Sequence, residues 1–354
     1  MPERLRQRIV TIGGGTGHYT LLRGLRTECQ RLTAIVSMMD SGGSSGRLRD
    51  EYGILPPGDF TRCLIALSDH PGAMRDLLGH RFQGGTLDGH TLRNLLFTAL
   101  EQMTGSTAET VRRLQEIFRV RGRVLPVTVE PCDLVMGLEN GKTIRGEATI
   151  DTMEGLLDAP VLNVYLDPIV SGYAEALAAL READVIILGP GDLYTSIVPN
   201  LLVDGVAQAI CASKALVIYV ANLMSKPNET PGYTVRDFAS TIELYLGHPR
   251  LDVVIYHSQK LPQSILDAYA ATHSYPVELG DVSGWRPSTR FVGGSIAVHK
   301  PFVRHDSRRL AAALRACIAQ AAVGRGATTS DEADGQGAAA SLEDVVEAAS
   351  QPRS

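Results

Sequence analysis

Residues 9–17 read IVTIGGGTG and are followed at once by the helical spacing of Leu21, Leu22 and Leu25. A β-branched run that ends in glycines and opens a helix is typical of the strand–turn–helix unit of an α/β fold. In such a turn the backbone N–H groups point at an anion, and the helix dipole favours its negative charge. The pattern predicts a phosphate site, although a strand-to-helix turn also needs glycine for steric reasons alone. It matches neither a P-loop nor the dinucleotide fingerprint, whose last glycine is replaced by His18.

Polar or glycine-rich turns also follow three further apolar runs, at residues 32–39, 185–188 and 216–220. Continuous apolar runs are typical of strands that are buried on both faces, in a parallel sheet between two helical layers. We therefore predict an α/β fold with three layers and a mainly parallel sheet. Ligands of such sheets bind outside the carboxyl ends of the strands, where all these turns fall, so the coincidence strengthens the prediction of a phosphate ligand.

The middle of the chain changes its periodicity. Between residues 59 and 121 the apolar spacing is helical, and residues 124–150 alternate like an antiparallel pair with a hairpin turn at residues 139–142. We predict a single α/β domain over residues 1–323, with the phosphate site described above and a helical insertion at about residues 59–121. Helices that simply connect two strands are the alternative.

From Gly324 onward the composition shifts to Gly, Ala, Ser, Thr and acidic residues. Such a segment has too little apolar surface to order a core, so we predict a disordered, low-complexity tail over residues 324–354. A short helix over residues 341–349 is the exception, because Ser341 and Asp344 fit a capping box.

The composition limits the classes of function. The chain has 354 residues, 44% of them hydrophobic, and a formal net charge of −5 at pH 7, which argues against nucleic acid as a partner. The five cysteines form no CxxC pair and the nine histidines show no zinc-ligand spacing, so we predict free thiols, and histidines in surface or capping positions. With no run of about 18 apolar residues, we expect a cytoplasmic protein without membrane insertion.

Six blocks of the sequence, in order, resemble one known family. They are GGGTG from residue 13, MDSGGSSGRLRDEYGILPPGDFTRCLIAL from residue 39, GHTLRNLLFTAL from residue 89, VLPVT from residue 124, GPGDLYTSIVPNLLV from residue 189 and NLMSKPNETPGY from residue 222. Over roughly residues 8–315 the chain resembles the gluconeogenesis-factor family, a branch of the CofD-like superfamily named for 2-phospho-L-lactate transferase. The resemblance implies a Rossmann-like, nucleotide-binding core.

The resemblance also implies which residues contact the nucleotide. They are Gly13, Gly14, Gly15, Thr16 and Gly17 in the first turn; Asp40, Ser41, Gly42, Gly43 and Ser44 in the second; Asn94 in the GHTLRN helix; Gly189, Pro190, Gly191, Asp192, Thr195 and Ser196 in the third turn; and Asn222 after the next strand. Asp40 stands where an acidic residue commonly binds a ribose hydroxyl. Residues 40–46 are equally compatible with a plain Asx turn, and Asn94 with a helix surface.

A metal site is the alternative role of Asp40, with Asp59 as a second ligand and Asp192 as a further carboxylate. The family often has two aspartates where this chain has Asp40 and Ser41, and one carboxylate with a hydroxyl is a poorer Mg²⁺ site than two carboxylates. Asp59 also fits the role of a helix cap.

Two functions from different classes follow from the resemblance. The first is a cytoplasmic regulator that binds a nucleotide sugar, specifically a UDP-sugar, is linked to carbon metabolism and cell shape, and needs no cofactor. The alternative is a metal-dependent transferase of the 2-phospho-L-lactate transferase type, in which Mg²⁺ and loop amides stabilise the charge on a nucleotide-activated phosphoester. A homodimer is compatible with both functions, and the sequence does not identify a protein partner.

Overall fold

The computed structural model describes residues 4–70, 72–153, 155–299, 302–326 and 339–345. Its strands are β1 (Leu5–Gly13), β2 (Cys29–Val36), β3 (Arg123–Pro126), β4 (Asp133–Leu138), β5 (Thr143–Arg145), β6 (Val161–Asp167), β7 (Val185–Leu188), β8 (Leu216–Val220), β9 (Val253–His257), β10 (Arg290–Gly294), β11 (Ala297–His299), β12 (Val303–His305) and β13 (Ala339–Ser341). Its α-helices are α1 (Gly15–Glu28), α2 (Gly43–Tyr52), α3 (Gly58–Leu67), α4 (Gly72–Gly79), α5 (Leu92–Thr104), α6 (Thr107–Ile117), α7 (Glu147–Thr152), α8 (Ala174–Glu182), α9 (Val198–Leu201), α10 (Val206–Ala212), α11 (Val235–Leu246), α12 (Gln263–Ala270) and α13 (Ser307–Gly326). A π-helical turn, Leu193–Ile197, precedes α9.

Eight strands form one parallel sheet in the order β13-β10-β9-β8-β7-β1-β2-β3. The four apolar runs of the sequence correspond to its adjacent strands β2, β1, β7 and β8, which confirms the predicted α/β fold. From β1 the chain continues to β2 on one side, and from β7 it continues to β8 on the other. The gap between the carboxyl ends of β1 and β7 is therefore a topological switch point, where ligands of such sheets bind.

Helices cover both faces of the sheet. Val185 and Ile187 of β7 belong to an apolar core shared with α1, α3 and α13, whereas Ile186 and Leu188 belong to a second core shared with α8, α10 and α11. Because successive side chains of a strand point to opposite faces, an uninterrupted apolar run fills both cores at once. This is the physical basis of the three-layer pattern that the sequence displays.

Helices α3 to α6 occupy most of residues 59–121 and connect β2 to β3. Phe97 of α5 and Leu114 of α6 are buried in the same core as Leu22 of α1. The segment thus shares the core of one helical layer, as helices that connect two strands would. Downstream, β4 and β5 form the predicted antiparallel hairpin around residues 139–142, and β6 completes a small three-stranded sheet.

The described part of the tail differs from the predicted disorder. Residues 339–341 form β13, which extends the main sheet beside β10. A helical turn at residues 342–345 follows, and the capping box is present, with Ser341 and Asp344 each accepting a hydrogen bond from the other's backbone N–H. Val345 is buried. The pairing of β13 with β10 was not evident from local composition, because it depends on the edge that β10 presents in the folded sheet. The rest of the predicted tail after residue 326 lies outside the described residues.

Among the helices that the structure describes, none is both long and apolar enough to cross a bilayer.

Candidate functional site

Two glycine turns meet at the switch point. One follows β1 and opens α1 at Gly15, and the other follows β7 at Gly189. A Cβ atom at Gly17 would lie 2.5 Å from the carbonyl oxygen of Pro190, so only glycine allows the two turns to approach this closely. Together they form one wall of a cavity of about 450 Å³, which we call the glycine cleft.

The glycine cleft brings together about half of the residues that the resemblance implied. These are Gly14, Gly15, Thr16, Gly17, Pro190, Gly191, Asp192, Ser196 and Asn222. Gly13 and Gly189 lie directly behind these turns, at the strand ends. The side chain of Thr195 points into the protein and donates a hydrogen bond to Glu229 at 2.9 Å.

Asn94 and Ser44 stand apart from the glycine cleft in a buried polar network. The Asn94 side chain accepts a hydrogen bond from Thr61 at 2.8 Å and donates one to Ser44 at 3.1 Å, and Ser44 also bonds His90 at 3.0 Å. The polar atoms of the Asn94 amide are thus used within the protein, tying α5 to α2 and α3. The structure therefore favours a structural role over the expected nucleotide contact for both residues.

The second predicted turn, residues 40–44, begins with an Asx turn. The Asp40 carboxylate accepts a hydrogen bond from the backbone N–H of Gly42 at 3.0 Å, and α2 begins at Gly43. The Ser41 hydroxyl accepts one from the backbone N–H of Ala148 at 2.8 Å. The turn is thereby attached to α7, rather than to the wall of the glycine cleft.

Asp59 lies at the glycine turn itself. Its carboxylate accepts a hydrogen bond from the backbone N–H of Gly15 at 2.7 Å and lies 3.6 Å from the guanidinium of Arg62. Burial, followed by repulsion from Asp40, raises the pKa of Asp59 to about 6. A carboxylate at this position satisfies a helix-terminal N–H that a phosphate would otherwise take.

A third carboxylate, Glu147 of α7, belongs to the same charged region and was missed in the sequence. Burial, and then repulsion from Asp40, Asp151 and Asp59, raises the pKa of Glu147 to about 8. Asp40 and Asp59 were predicted as metal ligands, and the structure brings them within electrostatic reach of each other and of Glu147. Nothing local in residues 143–152 signals this role, because only tertiary packing brings α7 to the turn.

A second acidic group borders the cleft and contains its own cation. The carboxylate oxygens of Asp151, Asp192 and Glu229 lie within 4.8 Å of one another, a spacing that suits a metal ion. The Lys226 ammonium contacts all three, at 2.9 Å from Asp192 and 2.8 Å from Glu229. Burial alone would lower the pKa of Lys226, but the three negative charges raise it above its ordinary value. An ammonium group therefore already contacts all three carboxylates and offsets part of their charge.

Three further side chains of the glycine cleft offer ligand chemistry. The buried Oδ1 atom of Asn222 has no hydrogen-bond partner among the described residues, as expected for a group that awaits a ligand. Arg304 makes no ion pair within the described part of the chain, and Tyr269 also lines the cleft, with its hydroxyl accepting a hydrogen bond from the backbone N–H of Val303. Arg304 and Tyr269 were missed because they come from β12 and α12, far along the sequence from either glycine turn.

Three histidines correct the prediction of surface or capping positions. His18 and His90 are buried, and His305 is half-buried in β12, where it lines the cleft. His18 bonds the hydroxyl of Thr11 at 2.8 Å, and its ring lies beneath Gly13. Burial lowers the pKa of His18 to about 4, so the ring is neutral at physiological pH. The residue that replaces the expected glycine is therefore a core side chain that packs α1 against β1.

Comparison with known proteins gives a consistent result. Residues 9–289 match the family model described as 2-phospho-L-lactate transferase CofD. The gluconeogenesis factor of Bacillus subtilis is 36% identical over 310 residues, which cover 87% of this chain and 96% of that protein. The chain belongs to the gluconeogenesis-factor family of CofD-like proteins.

Other members of the family agree in sequence and in fold. The gluconeogenesis factor of Halalkalibacterium halodurans is 39% identical over 274 residues, covering 77% of this chain and 84% of that protein. A crystal structure described as a member of the UPF0052 family from Bacillus halodurans superposes with a TM-score of 0.83 at 35% identity, covering 88% of this chain and all of the other. The Rossmann-like architecture is thus a property that this chain shares with a solved relative.

Proposed function

We propose that this family member is a cytoplasmic protein that binds a UDP-sugar in the glycine cleft and acts as a regulator linked to carbon metabolism and cell shape. The observation that carries the proposal is the meeting of two glycine turns, Gly14–Gly17 and Pro190–Asp192, at the switch point of the sheet. Backbone N–H groups at a helix start bind phosphate, and two such turns facing one cavity suit a diphosphate.

The other walls of the cleft suit the rest of a nucleotide sugar. Arg304 supplies a positive charge for the diphosphate, and the unpartnered amide oxygen of Asn222 accepts a hydrogen bond from a sugar hydroxyl or a base N–H. Tyr269 offers a stacking surface for the base. The volume of about 450 Å³ lies in the range of small-molecule sites.

A direct test is calorimetric titration of the full chain with UDP-glucose, UDP-N-acetylglucosamine and GDP. We expect saturable binding of a uridine ligand and thermal stabilisation, about 2.7 kcal/mol at one hundred times the dissociation constant. Arg304→Gln should weaken binding about tenfold, whereas Arg236→Gln, an exposed arginine on α11, is the matched control. If no nucleotide or nucleotide sugar binds, the proposal is wrong.

The metal-dependent transferase is the second candidate, and the group of Asp40, Asp59 and Glu147 favours it. Hard oxygen ligands with mutual repulsion suit Mg²⁺, which would supply charge stabilisation for a phosphoester under attack. Their ligand atoms would have to move closer together to hold the ion, because Asp151, Asp192 and Glu229 form the one carboxylate trio with metal-site spacing among the described residues. Asp40 retains its contact with Gly42 in either function.

Asp40→Asn separates the two candidates. The amide keeps an oxygen for the Gly42 N–H, so in the regulator nucleotide affinity should fall by less than about threefold, equally with Mg²⁺ and with chelator. In the transferase, loss of the carboxylate charge should abolish Mg²⁺-dependent binding or turnover. Titrations of wild type and variant, each with Mg²⁺ and with EDTA, decide between them, and we expect the metal-independent result.

A further inference from the structure

A second cavity, of about 620 Å³, adjoins the glycine cleft at Thr16, which lines both. Its charged lining residues are Arg23, Arg62, Arg75, Arg93 and Asp76. We call it the arginine pocket. Four guanidinium groups thus surround one concave space with a single carboxylate among them, so the pocket carries a large excess of positive charge.

Arg93 is the strongest sign that the pocket awaits an anion. Arg93 is only 9% exposed, and its buried Nε atom has no hydrogen-bond partner among the described residues. Burial, and then repulsion from Arg62 and Arg81, lowers the pKa of Arg93 to about 10. A buried, incompletely bonded cation among like charges is unfavourable by itself, and an anionic ligand relieves both the missing bond and the repulsion.

The remaining arginines divide into two kinds. Arg62 forms an ion pair with Asp59 at 3.6 Å, so its charge is partly balanced within the protein. Arg23 is held over the ring of Tyr19 at 5.9 Å, and neither it nor Arg75 makes an ion pair within the described part of the chain. The positive charges of Arg23, Arg75 and Arg93 are therefore available to an anionic ligand. Asp76, the sole carboxylate of the lining, cannot balance three positive charges.

We propose that the arginine pocket binds the phosphate group of a small phosphorylated metabolite, at a site separate from the glycine cleft. A phosphate monoester carries close to two negative charges at neutral pH and presents three acceptor oxygens, which match several guanidinium forks at once. A monocarboxylate offers one charge and only two oxygens, so it leaves most of the positive charge uncompensated. The volume accommodates a small metabolite as well as its phosphate.

The test is calorimetric titration of the full chain with glycerol 3-phosphate, with uncharged glycerol as the matched ligand control. We expect saturable binding of glycerol 3-phosphate and none of glycerol. Arg75→Ser and Arg23→Ser should each weaken binding tenfold or more, because each removes one phosphate contact. Arg236→Ser, on the opposite face of the sheet, should bind as the wild type does. Both pocket residues lie outside the core, and a thermal melt of each variant verifies that it is folded.

Three outcomes would overturn the proposal. One is the absence of saturable binding to the wild type, and another is equal affinity in folded Arg75→Ser and wild-type protein. The last is displacement of the phosphate ester by saturating UDP-glucose, which would place it in the glycine cleft. A protein that binds glycerol 3-phosphate through Arg75 but binds no nucleotide would retain the arginine pocket and refute only the proposed function.

Discussion

The carboxylate of Asp59 accepts a hydrogen bond from the backbone N–H of Gly15, with 2.7 Å between Oδ2 and N. The first helical N–H of the glycine turn is thus already bonded to a negative group before a ligand arrives. A diphosphate in the glycine cleft must share this N–H with Asp59 or displace its carboxylate. Since the pKa of Asp59 is raised to about 6, chiefly by burial, a proton can remove that competition within an accessible pH range.

Asp59→Asn should therefore strengthen UDP-sugar binding in the presence of chelator, by about three- to tenfold at pH 8. The reason is that the neutral amide does not repel the diphosphate. In the wild type, affinity should fall as the pH rises through about 6 and Asp59 loses its proton, and the variant should lack this dependence. Titrations between pH 5 and 8 measure both effects. Weaker binding by the variant in chelator would mean that the Asp59 carboxylate itself holds the ligand.

Glu147→Gln should stabilise the protein at alkaline pH. Its pKa is raised to about 8 in the folded state, chiefly by burial, against an ordinary value of 4.5, so the folded protein keeps a proton that the unfolded chain has lost. The wild-type free energy of unfolding should thus decline as the pH rises from about 4.5 to 8. We expect the variant to gain at least about 1 kcal/mol at pH 8, since one pKa unit corresponds to ~1.4 kcal/mol.

Urea denaturation at pH 5 and pH 8 measures this difference. Glu109→Gln is a contrasting control, because hydrogen bonds from Arg112 and Arg113 lower the pKa of Glu109 to about 2, so it is ionised throughout the window. An equal gain for Glu147→Gln at both pH values would show that the proton is not the cause.

Gly17→Ala should push the two glycine turns apart. The added Cβ would lie 2.5 Å from the carbonyl oxygen of Pro190, a backbone atom that cannot rotate away. We expect a loss of about 1–3 kcal/mol in stability and a marked loss of nucleotide affinity. Gly72→Ala, where a Cβ meets open space at the start of α4, is the matched control and should change neither quantity. Thermal melts and calorimetry on both variants check this, and normal binding by Gly17→Ala would locate the ligand elsewhere.

Val345→Ala should destabilise the protein although it lies far down the low-complexity tail. Val345 is 2% exposed and belongs to the core that α1 and α13 share, so its truncation leaves a cavity. We expect a cost of about 1–2 kcal/mol. Glu343→Ala, exposed on the same helical turn, is the control. An unchanged melting temperature for Val345→Ala would mean that residues 339–345 do not stabilise the core in solution.

The sequence predicted those structural elements that are determined by residues close together in the chain. A β-branched run that ends at Gly13 requires a strand and a turn, and the hairpin at residues 139–142 is likewise encoded in neighbouring residues. The charges around the site were not predictable in this way. Glu147 and Arg304 have ordinary flanking residues and gain their significance only from the packing of α7 and β12 beside the turns.

Asn94 is the opposite case, a residue that the sequence indicated as a ligand contact and whose polar atoms bond within the protein. An amide in a helix near a glycine cleft is chemically suited to a ligand, and only the positions of Thr61 and Ser44 reveal that both of its polar atoms are bonded. Residue type limits what a side chain can do, whereas its partners decide what it does. The same holds for His18, whose buried position depends on the path of α1 over β1.

The place of β13 in the sheet has a consequence for how the chain is made. Its partner β10 leaves the ribosome well before residues 339–341 and α13 lies between them, so β10 remains an open edge during synthesis. At elongation rates of roughly 5–20 residues per second, that interval lasts a few seconds. Neighbouring nascent chains on one messenger RNA can pair through such an edge during this time. β13, the last strand among the described residues, therefore closes the surface at which newly made copies would otherwise associate.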